Sequence, residues 1–229
     1  MINKIFDYKN QKGVAYNFRK KRSVLIKKII DSIFKKKKSV SIIDFGGTEI
    51  FWKIIGSEYL LEKNVKITLV NLEDYEVRNK KIFNFIKKDA TCIDCKDNQY
   101  DFSFSNSVIE HLRDYEKMFD FGKEMKRVAE IFYCQTPNFW FPIEPHFFFP
   151  FFHFFPDPFK MKLVKNFSLG HYNKAKNDEE AIRIINDAKL LTKEMLISFF
   201  GEGQILKEKF FFLNKSLIIS NYRDNKDLF

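Results

Sequence analysis

The stretch Ser39-Val-Ser-Ile-Ile-Asp-Phe-Gly-Gly-Thr48 decides the predicted fold. Its Val and Ile residues form a short β-branched run, which is typical of a strand buried on both faces of a parallel sheet. The strand ends at Asp44, and Gly46 and Gly47 follow, with an apolar, helix-compatible segment at 50–55. This order brings backbone amides close to a ligand at the carboxyl end of a sheet. The same glycines also suit an ordinary tight turn, so the stretch alone leaves both interpretations open.

Three later segments repeat the pattern of an apolar strand that ends in polar residues. The segment 65–70 ends at Asn71, the segment 82–86 leads to Asp89, and the segment 100–104 ends at 105–107. Helical patterns lie between them, and a fifth strand is predicted at 131–135. The alternation predicts an α/β fold with a parallel sheet and helices on both faces. A closing pair of strands at 204–212 and 216–220 is predicted to turn at 214–215.

The composition indicates a folded chain with a strongly basic balance. The 229 residues are 45% hydrophobic and 31% charged, and the net charge is +10. We expect a single domain over residues 1–229, with a basic helical segment at 1–38 in which Val24, Leu25, Ile29, Ile30 and Ile33 recur at helical spacing. The charge indicates either an anionic partner or a solvated lysine-rich surface.

The cysteine pattern argues against a disulfide scaffold and predicts no metal site. Cys92, Cys95 and Cys134 are an odd, small set, which fits a reducing compartment. The first two have C-x-x-C spacing, but no second pair supplies the remaining ligands of a zinc site. The N-terminus has no secretory h-region and no run is long and apolar enough to span a bilayer. We therefore expect a cytoplasmic protein, with the inner face of the membrane as the open alternative.

Residues 136–160 break the alternating pattern. All six prolines lie here, between 137 and 158, together with many phenylalanines and Glu144, His146 and His153. Such a proline density excludes a regular long helix or a central strand. The segment is too aromatic for a free linker, so we expect it to pack on the body, to cover a pocket, or to meet a membrane or a partner.

These motifs together resemble the class I S-adenosylmethionine (SAM) dependent methyltransferases. The stretch 42–48 is similar to their first motif, and Tyr100-Asp-Phe-Ser-Phe-Ser-Asn-Ser-Val-Ile-Glu-His-Leu112 resembles their fourth. The likeness covers residues 38–135 and 190–221. It implies a doubly wound, Rossmann-like, seven-stranded and mostly parallel sheet with an antiparallel final strand, and a substrate lid at 136–190. The Thr-Pro-Asn…Phe-Pro-Ile-Glu-Pro-His region resembles a bacterial branch often met in surface-polysaccharide and lipid biosynthesis.

The resemblance implies SAM as the cofactor and a role for each matching residue. Asp44 would lie near the methionine end of SAM, and Gly46 and Gly47 would let the backbone pass under the ligand. Asn71 would face the ribose, Asp89 and Ala90 the adenine, and Asn106 and Ser107 the methionine moiety. The whole implied cofactor set is Asp44, Gly46, Gly47, Thr48, Asn71, Leu72, Asp89, Ala90, Asn106 and Ser107. The chain departs from the family pattern at two positions, since Thr48 replaces a glycine and Asn71 replaces the ribose-binding acid.

An oxygen acceptor also requires a base, and histidine suits that role near neutral pH. We predict His146 beside Glu144 as this base, with His153 as the second candidate, although both histidines could instead be structural residues of the loop. The expected partner is a small-molecule or lipid-linked glycan-type acceptor, with peripheral membrane contact and with no nucleic acid as first choice. An RNA methyltransferase and a non-catalytic binding protein on the same fold stay open as alternatives.

Overall fold

The structure of the protein is a computed structural model that describes residues 13–223. Residues 1–12, with which the predicted basic segment begins, lie outside the described residues. In chain order the described strands are β1 Val40–Phe45, β2 Val65–Asn71, β3 Phe83–Lys87, β4 Tyr100–Asn106, β5 Ala129–Pro137, β6 Ile143–Glu144, β7 Phe149–Pro150, β8 Gln204–Phe210 and β9 Leu213–Ser220.

Seven of these strands form one sheet in the order β3-β2-β1-β4-β5-β9-β8. Strands β1 to β5 are parallel to their neighbours, and β9 runs antiparallel to both β5 and β8. The predicted Rossmann-like sheet with an antiparallel strand among its last members is confirmed. The chain direction across the sheet reverses between β1 and β4, and this switch point is where ligands bind in open α/β sheets.

Seven α-helices are described within residues 13–223. They are α1 Val14–Lys37, α2 Glu49–Ile55, α3 Ser57–Glu62, α4 Tyr115–Val128, α5 Asp157–Asn166, α6 Asp178–Ile185 and α7 Lys193–Phe200. Short 3-10 helices lie at Ile109–Leu112 and Phe152–Phe154. Asp114 and Thr192 cap α4 and α7, and Gly201 ends α7 in the left-handed region at φ 70°, as predicted for Thr192 and Gly201.

Both faces of the sheet are covered by apolar side chains. One core joins α1, α2 and α3 to the sheet, and the other joins α4 and α7 to its opposite face. The apolar stripe of α1 differs from the prediction at one position, because Val24 is exposed and Ile26 is fully buried in its place. None of the helices described between residues 13 and 223 is long and apolar enough to span a bilayer.

The predicted turn of the final hairpin at 214–215 is wrong. The chain turns at Phe211 and Phe212, and Asn214 pairs with Lys209 inside the hairpin. A register irregularity between Glu208 and Lys209 precedes the turn. Asn-Lys is a common turn sequence, but strand pairing places Glu208 opposite the buried Ser216 and so shifts the turn towards the N-terminus.

The aromatic insertion folds on its own small core. Strands β6 and β7 pair as a short hairpin, and α5 begins with Pro158 in its first turn, where proline is tolerated. The buried apolar side chains of this third core are Phe147, Phe152, Val164, Ala175, Ala181 and Ile184. The prolines therefore shape a packed loop and not a free linker.

Candidate active site

Asp44 lies near the carboxyl end of β1, with 1% of its surface exposed. Its Oδ2 accepts a hydrogen bond from the indole N–H of Trp52 at 2.7 Å. Its Oδ1 is buried and has no hydrogen-bond partner among residues 13–223. Burial raises the pKa of Asp44 from 3.8 to about 8, against the opposing effect of the Trp52 hydrogen bond. One lone oxygen of this carboxyl is therefore left for a ligand.

The two glycines after β1 are required by close approach. A Cβ on Gly47 would lie 1.8 Å from Oδ2 of Asp44, which is far inside contact distance. Gly46 has φ +72°, and a Cβ there would lie 2.7 Å from a methyl group of Val108. The turn is therefore a cradle that only glycine can form. The hydroxyl of Thr48 caps α2 by accepting from the backbone N–H of Ile50, so the departure at Thr48 has a local structural function.

The structure brings together five of the predicted cofactor residues. Asp44, Gly46, Gly47, Thr48 and Asn106 line a cavity of about 150 Å³ at the switch point between β1 and β4. The remaining walls of this cavity are Arg19, Ile50, Phe51 and Phe104. Strands β1 and β4 are neighbours, so Asp44 and Asn106 meet although 62 positions separate them.

The other predicted cofactor residues lie outside that cavity. Asn71 ends β2 opposite Lys87, and its side-chain oxygen accepts from the backbone N–H of the exposed Leu72. Asp89 accepts from the N–H and the hydroxyl of Thr91, which helps to keep its pKa below the usual range. Ala90 follows it. Ser107 borders the neighbouring cavity and donates to Gln135 at 3.1 Å. These residues share the carboxyl edge of the sheet with Asp44.

Arg22 is a site residue that the sequence prediction missed. It is buried, and its guanidinium makes two 2.7 Å hydrogen bonds to the carboxylate of Glu208 on β8. Its third hydrogen bond, also 2.7 Å, goes to Oδ1 of Asn106. Such a bidentate, charge-assisted pair fixes geometry as well as charge. Arg22 therefore holds the side chain of Asn106 in place through this hydrogen bond. In the sequence it is one of four consecutive basic residues, 19–22, and nothing marks it as buried.

A second cavity of about 100 Å³ adjoins the first and shares Arg19 and Asn106 with it. Its apolar walls are Phe18, Pro137, Phe141, Ile143, Phe148 and Phe210. Its charged walls are Arg19, Arg22 and Lys215. Burial, reinforced by the nearby Arg22, lowers the pKa of Lys215 to about 8. The cavity combines aromatic surface with positive charge, and His171 also borders it.

The predicted base pair Glu144 and His146 is in direct contact. Nδ1 of His146 lies 2.7 Å from Oε1 of the buried Glu144. The other carboxylate oxygen accepts from the backbone N–H groups of His146 and Phe147. Burial, the largest single effect, acts to lower the pKa of His146, but the contact with Glu144 and the charges of Glu110 and Asp187 together raise it. Glu144 therefore fixes the orientation of the His146 ring.

His153 is placed differently. Its ring packs against Phe139 and Phe154, with centroids 5.3 and 4.2 Å apart. Burial lowers the pKa of His153. Like His146, His153 borders neither the cavity of Asp44 nor the cavity of Lys215, and it lines a third cavity together with Glu144. The structure thus places Glu144 in direct contact with His146, and it places His153 among aromatic rings.

Part of the chain is similar to a known family of domains. Residues 55–130 match the family model of a methyltransferase domain, over β2 to the start of β5. No curated protein matches the chain. Among solved structures, the PH0226 protein of Pyrococcus horikoshii is 14% identical, with 93% of this chain and 92% of that chain covered at a TM-score of 0.49.

Two further structures are similar at the same level. A SAM-dependent methyltransferase of Methanosarcina mazei is 16% identical, with 80% of this chain and 92% of that chain covered at a TM-score of 0.46. The 1,6-didemethyltoxoflavin-N1-methyltransferase of Burkholderia thailandensis, solved with S-adenosylhomocysteine, is 9% identical, with 85% and 76% covered at a TM-score of 0.44.

Residues 55–130 are thus similar to a methyltransferase domain, and the strand order is the one that the resemblance to the class I SAM-dependent methyltransferases implies. SAM is the cofactor that this resemblance implies, and the residues present fit it. The unpartnered Oδ1 of Asp44 suits a cationic or hydrogen-bond-donating ligand, and the glycine cradle leaves room for close backbone approach. When bound, SAM supplies a methyl group already activated on a sulfonium.

Proposed function

We propose that the protein methylates an oxygen atom of a small or lipid-linked glycan-type acceptor. The observation that carries the proposal is the pair of adjoining cavities that share Arg19 and Asn106. One cavity contains Asp44 and the glycine cradle, and the other opens onto aromatic and basic side chains. Donor and acceptor bound in these two cavities would meet at Asn106. Methyl transfer needs mainly this alignment and the exclusion of water.

The walls of the second cavity favour an acceptor with an apolar part and a negative charge. Phe18, Phe141 and Phe210 supply apolar surface, and Lys215 and Arg19 supply positive charge beside the Arg22–Glu208 pair. A glycan that is linked through phosphate to a lipid has both features. Residues 136–190, which contribute Phe141, Phe148 and His171 to this cavity, act in the proposal as the substrate lid.

Contact with a membrane surface is part of the same proposal. Phe211 and Phe212 at the β8–β9 turn are 77% and 91% exposed, and Trp140 is 65% exposed. Lys20, Lys21 and Lys209 surround the groove next to Phe211. Exposed aromatic side chains beside lysines are the pattern of a peripheral membrane contact with anionic lipid. Such a contact would bring the second cavity close to a lipid-linked acceptor.

His146 is the residue we expect to act on the acceptor proton. Glu144 orients its ring, and the adjoining Pro145 borders the acceptor cavity. We expect His146→Ala to lower turnover at least 100-fold with SAM affinity unchanged, since general base catalysis contributes about 10²–10⁴-fold. His153→Ala is the comparison variant, and we expect a smaller effect on turnover. Equal losses in both variants, or full turnover in His146→Ala, would contradict this assignment.

Calorimetric titration with SAM and with S-adenosylhomocysteine tests the cofactor site. We expect binding in the micromolar range, lost in Gly47→Ala because the added Cβ would displace the Asp44 carboxyl. A Gly122→Ala variant is not a suitable control, since its Cβ would clash with Phe199. Glu116→Gln on the exposed surface of α4 serves that purpose. A screen of sugars and lipid-linked sugars with labelled SAM then tests the acceptor. Absence of SAM binding by folded protein would favour a non-catalytic binding role.

A further inference from the structure

A buried carboxylate lies against two imidazoles at the carboxyl edge of β4 and β5. One potential ligand atom from each of Glu110, His111 and His146 lies within 4.8 Å of the other two. Glu110 is fully buried, and its Oε2 accepts from the hydroxyl of Thr136 at 2.9 Å. Its Oε1 is buried and has no hydrogen-bond partner among residues 13–223. A buried carboxylate oxygen without a partner is costly, which indicates that something else binds there.

The two imidazoles are oriented in the way that metal-binding histidines usually are. Nδ1 of His146 is engaged by Glu144 at 2.7 Å. Nδ1 of His111 lies 3.2 Å from the backbone carbonyl oxygen of Asp187. Each ring therefore has its Nδ1 occupied by an acceptor, and its Nε2 is left for a ligand. A carboxylate or carbonyl behind a histidine fixes the tautomer and raises the basicity of the coordinating nitrogen.

The support behind these rings is itself held in place. Asp187 accepts from the hydroxyl of Tyr172 at 2.6 Å and is paired with Arg113. The carboxylate of Glu144 is held by two backbone N–H groups. The rings of His111 and His146 meet edge to face with centroids 4.9 Å apart. The cluster is thus a preorganised group of three side chains and not a chance approach of surface residues.

We infer that Glu110, His111 and His146 bind one divalent transition-metal ion. A carboxylate and two imidazoles form the facial set of ligands that binds first-row divalent ions and leaves positions open. Metal–ligand distances of about 2.0–2.2 Å mean that the ion draws the three side chains closer together. The exposed His111 is the member free to make that adjustment. The sequence alone predicted no metal site, because these ligands come from two segments 35 positions apart.

The role of the ion rests on the proposed function. The cluster lies close to the acceptor cavity, which is bordered by Ser107, Pro145 and His171. Ser107 and Pro145 are near neighbours of the cluster in the chain, and the backbone N–H of His171 donates to the carbonyl oxygen of His146. An acceptor hydroxyl bound at an open position would have a lowered pKa. With the ion bound, His146 would act as a ligand in place of the base role proposed above. The acceptor proton would then pass to solvent water, and the acceptor oxygen would attack the methyl carbon of SAM. The C–O bond would form as the C–S bond breaks, to give the methyl ether and S-adenosylhomocysteine.

Metal binding is tested directly on the full chain after treatment with a chelator. Mn²⁺ alone is titrated and the free ion is followed by electron paramagnetic resonance, since Mn²⁺ prefers oxygen and nitrogen ligands to thiolates. Zn²⁺ alone is titrated by calorimetry in a Cys92→Ser/Cys95→Ser background. We expect one ion per chain for at least one of the two metals, with Glu110→Gln lowering the affinity more than tenfold. Glu144→Gln should lower it about 10–100-fold, as is typical of the partners behind a metal-binding histidine.

The controls separate this inference from the proposed function. Glu116→Gln, an exposed glutamate on α4, should bind the ion as the unchanged chain does. Thermal melting shows whether Glu110→Gln is folded, and His111→Ala on the surface gives a second test that leaves the core intact. Absence of both Mn²⁺ and Zn²⁺ binding, or affinity unchanged in Glu110→Gln and His111→Ala, overturns the metal site. SAM binding by the chelated protein is measured separately, so its failure would overturn the proposed function and leave the metal result standing.

Discussion

At the scale of single residues, the buried carboxyl of Asp44 lowers the stability of the ligand-free protein at higher pH while offering an oxygen atom to a ligand. Its carboxyl is buried with one oxygen unpartnered, and its pKa is raised to about 8 in the folded protein. The unfolded chain releases this proton near pH 4, so the folded state binds more protons between pH 4 and 8. The ligand-free protein therefore loses stability as the pH rises through this window. We expect Asp44→Asn to flatten that loss in melting experiments between pH 5 and 8.

The same substitution should weaken the binding of SAM. The introduced amide oxygen can still accept from Trp52, so the fold is kept while the ionisable oxygen is removed. Calorimetry at pH 8 should show a lower SAM affinity than in the unchanged chain, together with a higher melting temperature. Identical pH dependence of melting in the two proteins would show that Asp44 does not carry the effect.

Arg22 is expected to affect both the free energy of unfolding and the binding of SAM. Removing one member of a buried ion pair costs about 3–5 kcal/mol, because the other charge is left unpaired. We expect Arg22→Met to lower the free energy of unfolding by about this amount and to weaken SAM binding through the release of Asn106. Urea unfolding measures the first effect and calorimetry the second.

A double variant gives the matched test for Arg22. Arg22→Met combined with Glu208→Leu removes both charges, and we expect it to recover most of the lost stability but not the SAM affinity. Lys21→Met, at the adjacent exposed position, should leave both quantities unchanged. A double variant as unstable as Arg22→Met would mean that packing, and not the unpaired carboxylate, explains the loss.

Residues of the site differ in how far the sequence could reveal them. Asp44, Gly46, Gly47 and Asn106 follow strands directly, and the parallel sheet brings strand ends together, so their cavity was predictable. Arg22 was not predictable, because burial of one arginine among several basic residues depends on Glu208, 186 positions later. The association of Glu110 with His146 likewise depends on how the aromatic insertion folds.

At the scale of elements, the β8–β9 turn is the place where sequence and structure disagree and where a function is testable. Phe211 and Phe212 contribute little to the core, because most of their surface is exposed. We expect Phe211→Ser/Phe212→Ser to leave the melting temperature unchanged and to reduce flotation with vesicles of anionic lipid. Phe210→Ser is not an equivalent change, since its ring contacts Phe18 and Phe141.

An exposed apolar residue elsewhere gives the control for that experiment. Ile197 is 42% exposed on α7, and Ile197→Ser should not alter flotation. If the double variant floats as the unchanged chain does, the turn does not contact the lipid. Local propensity could not place this turn correctly, because Asn-Lys satisfies the usual turn preferences and the pairing of Glu208 opposite Ser216 depends on burial.

For the aromatic insertion, the sequence predicted which regular structure is absent but not which elements form. Its prolines correctly excluded a long helix over 136–160, and α5 begins only at Asp157. The sequence did not predict α5 or the β6–β7 hairpin, because both depend on packing around Phe147 and Phe152. Proline marks where regular structure ends, but it carries no information on the contacts that organise an irregular segment.

At the scale of the whole molecule, the net charge of +10 predicts a salt-dependent association with anionic surfaces. The screening length falls from about 10 Å at 0.1 M salt to about 3 Å at 1 M. We expect flotation with anionic vesicles to decrease steeply over this range, and vesicles of neutral lipid to bind weakly at any salt concentration. Flotation that does not respond to salt would mean that the aromatic turn alone accounts for binding.

The same charge leaves RNA as the rival polyanion, and the two partners separate experimentally. RNA binding should fall linearly on a logarithmic salt scale and should not depend on Phe211 and Phe212. Vesicle binding should depend on the salt concentration and also on Phe211 and Phe212. The overall fold was predictable because five parallel strands repeat one simple pattern, whereas the choice of partner depends on exposed side chains that serve several polyanions equally.

The Arg22 junction also bears on how the protein is made. Its three members come from positions 22, 106 and 208, so the last of them leaves the ribosome only when synthesis is almost complete. Until then the guanidinium on α1 lacks its hydrogen-bonded partner Glu208, which fixes its position beside Asn106. Domains fold as units during synthesis, and contacts that are distant in sequence form late. A nascent chain halted before β8 should therefore lack the support that Glu208 gives, through Arg22, to Asn106.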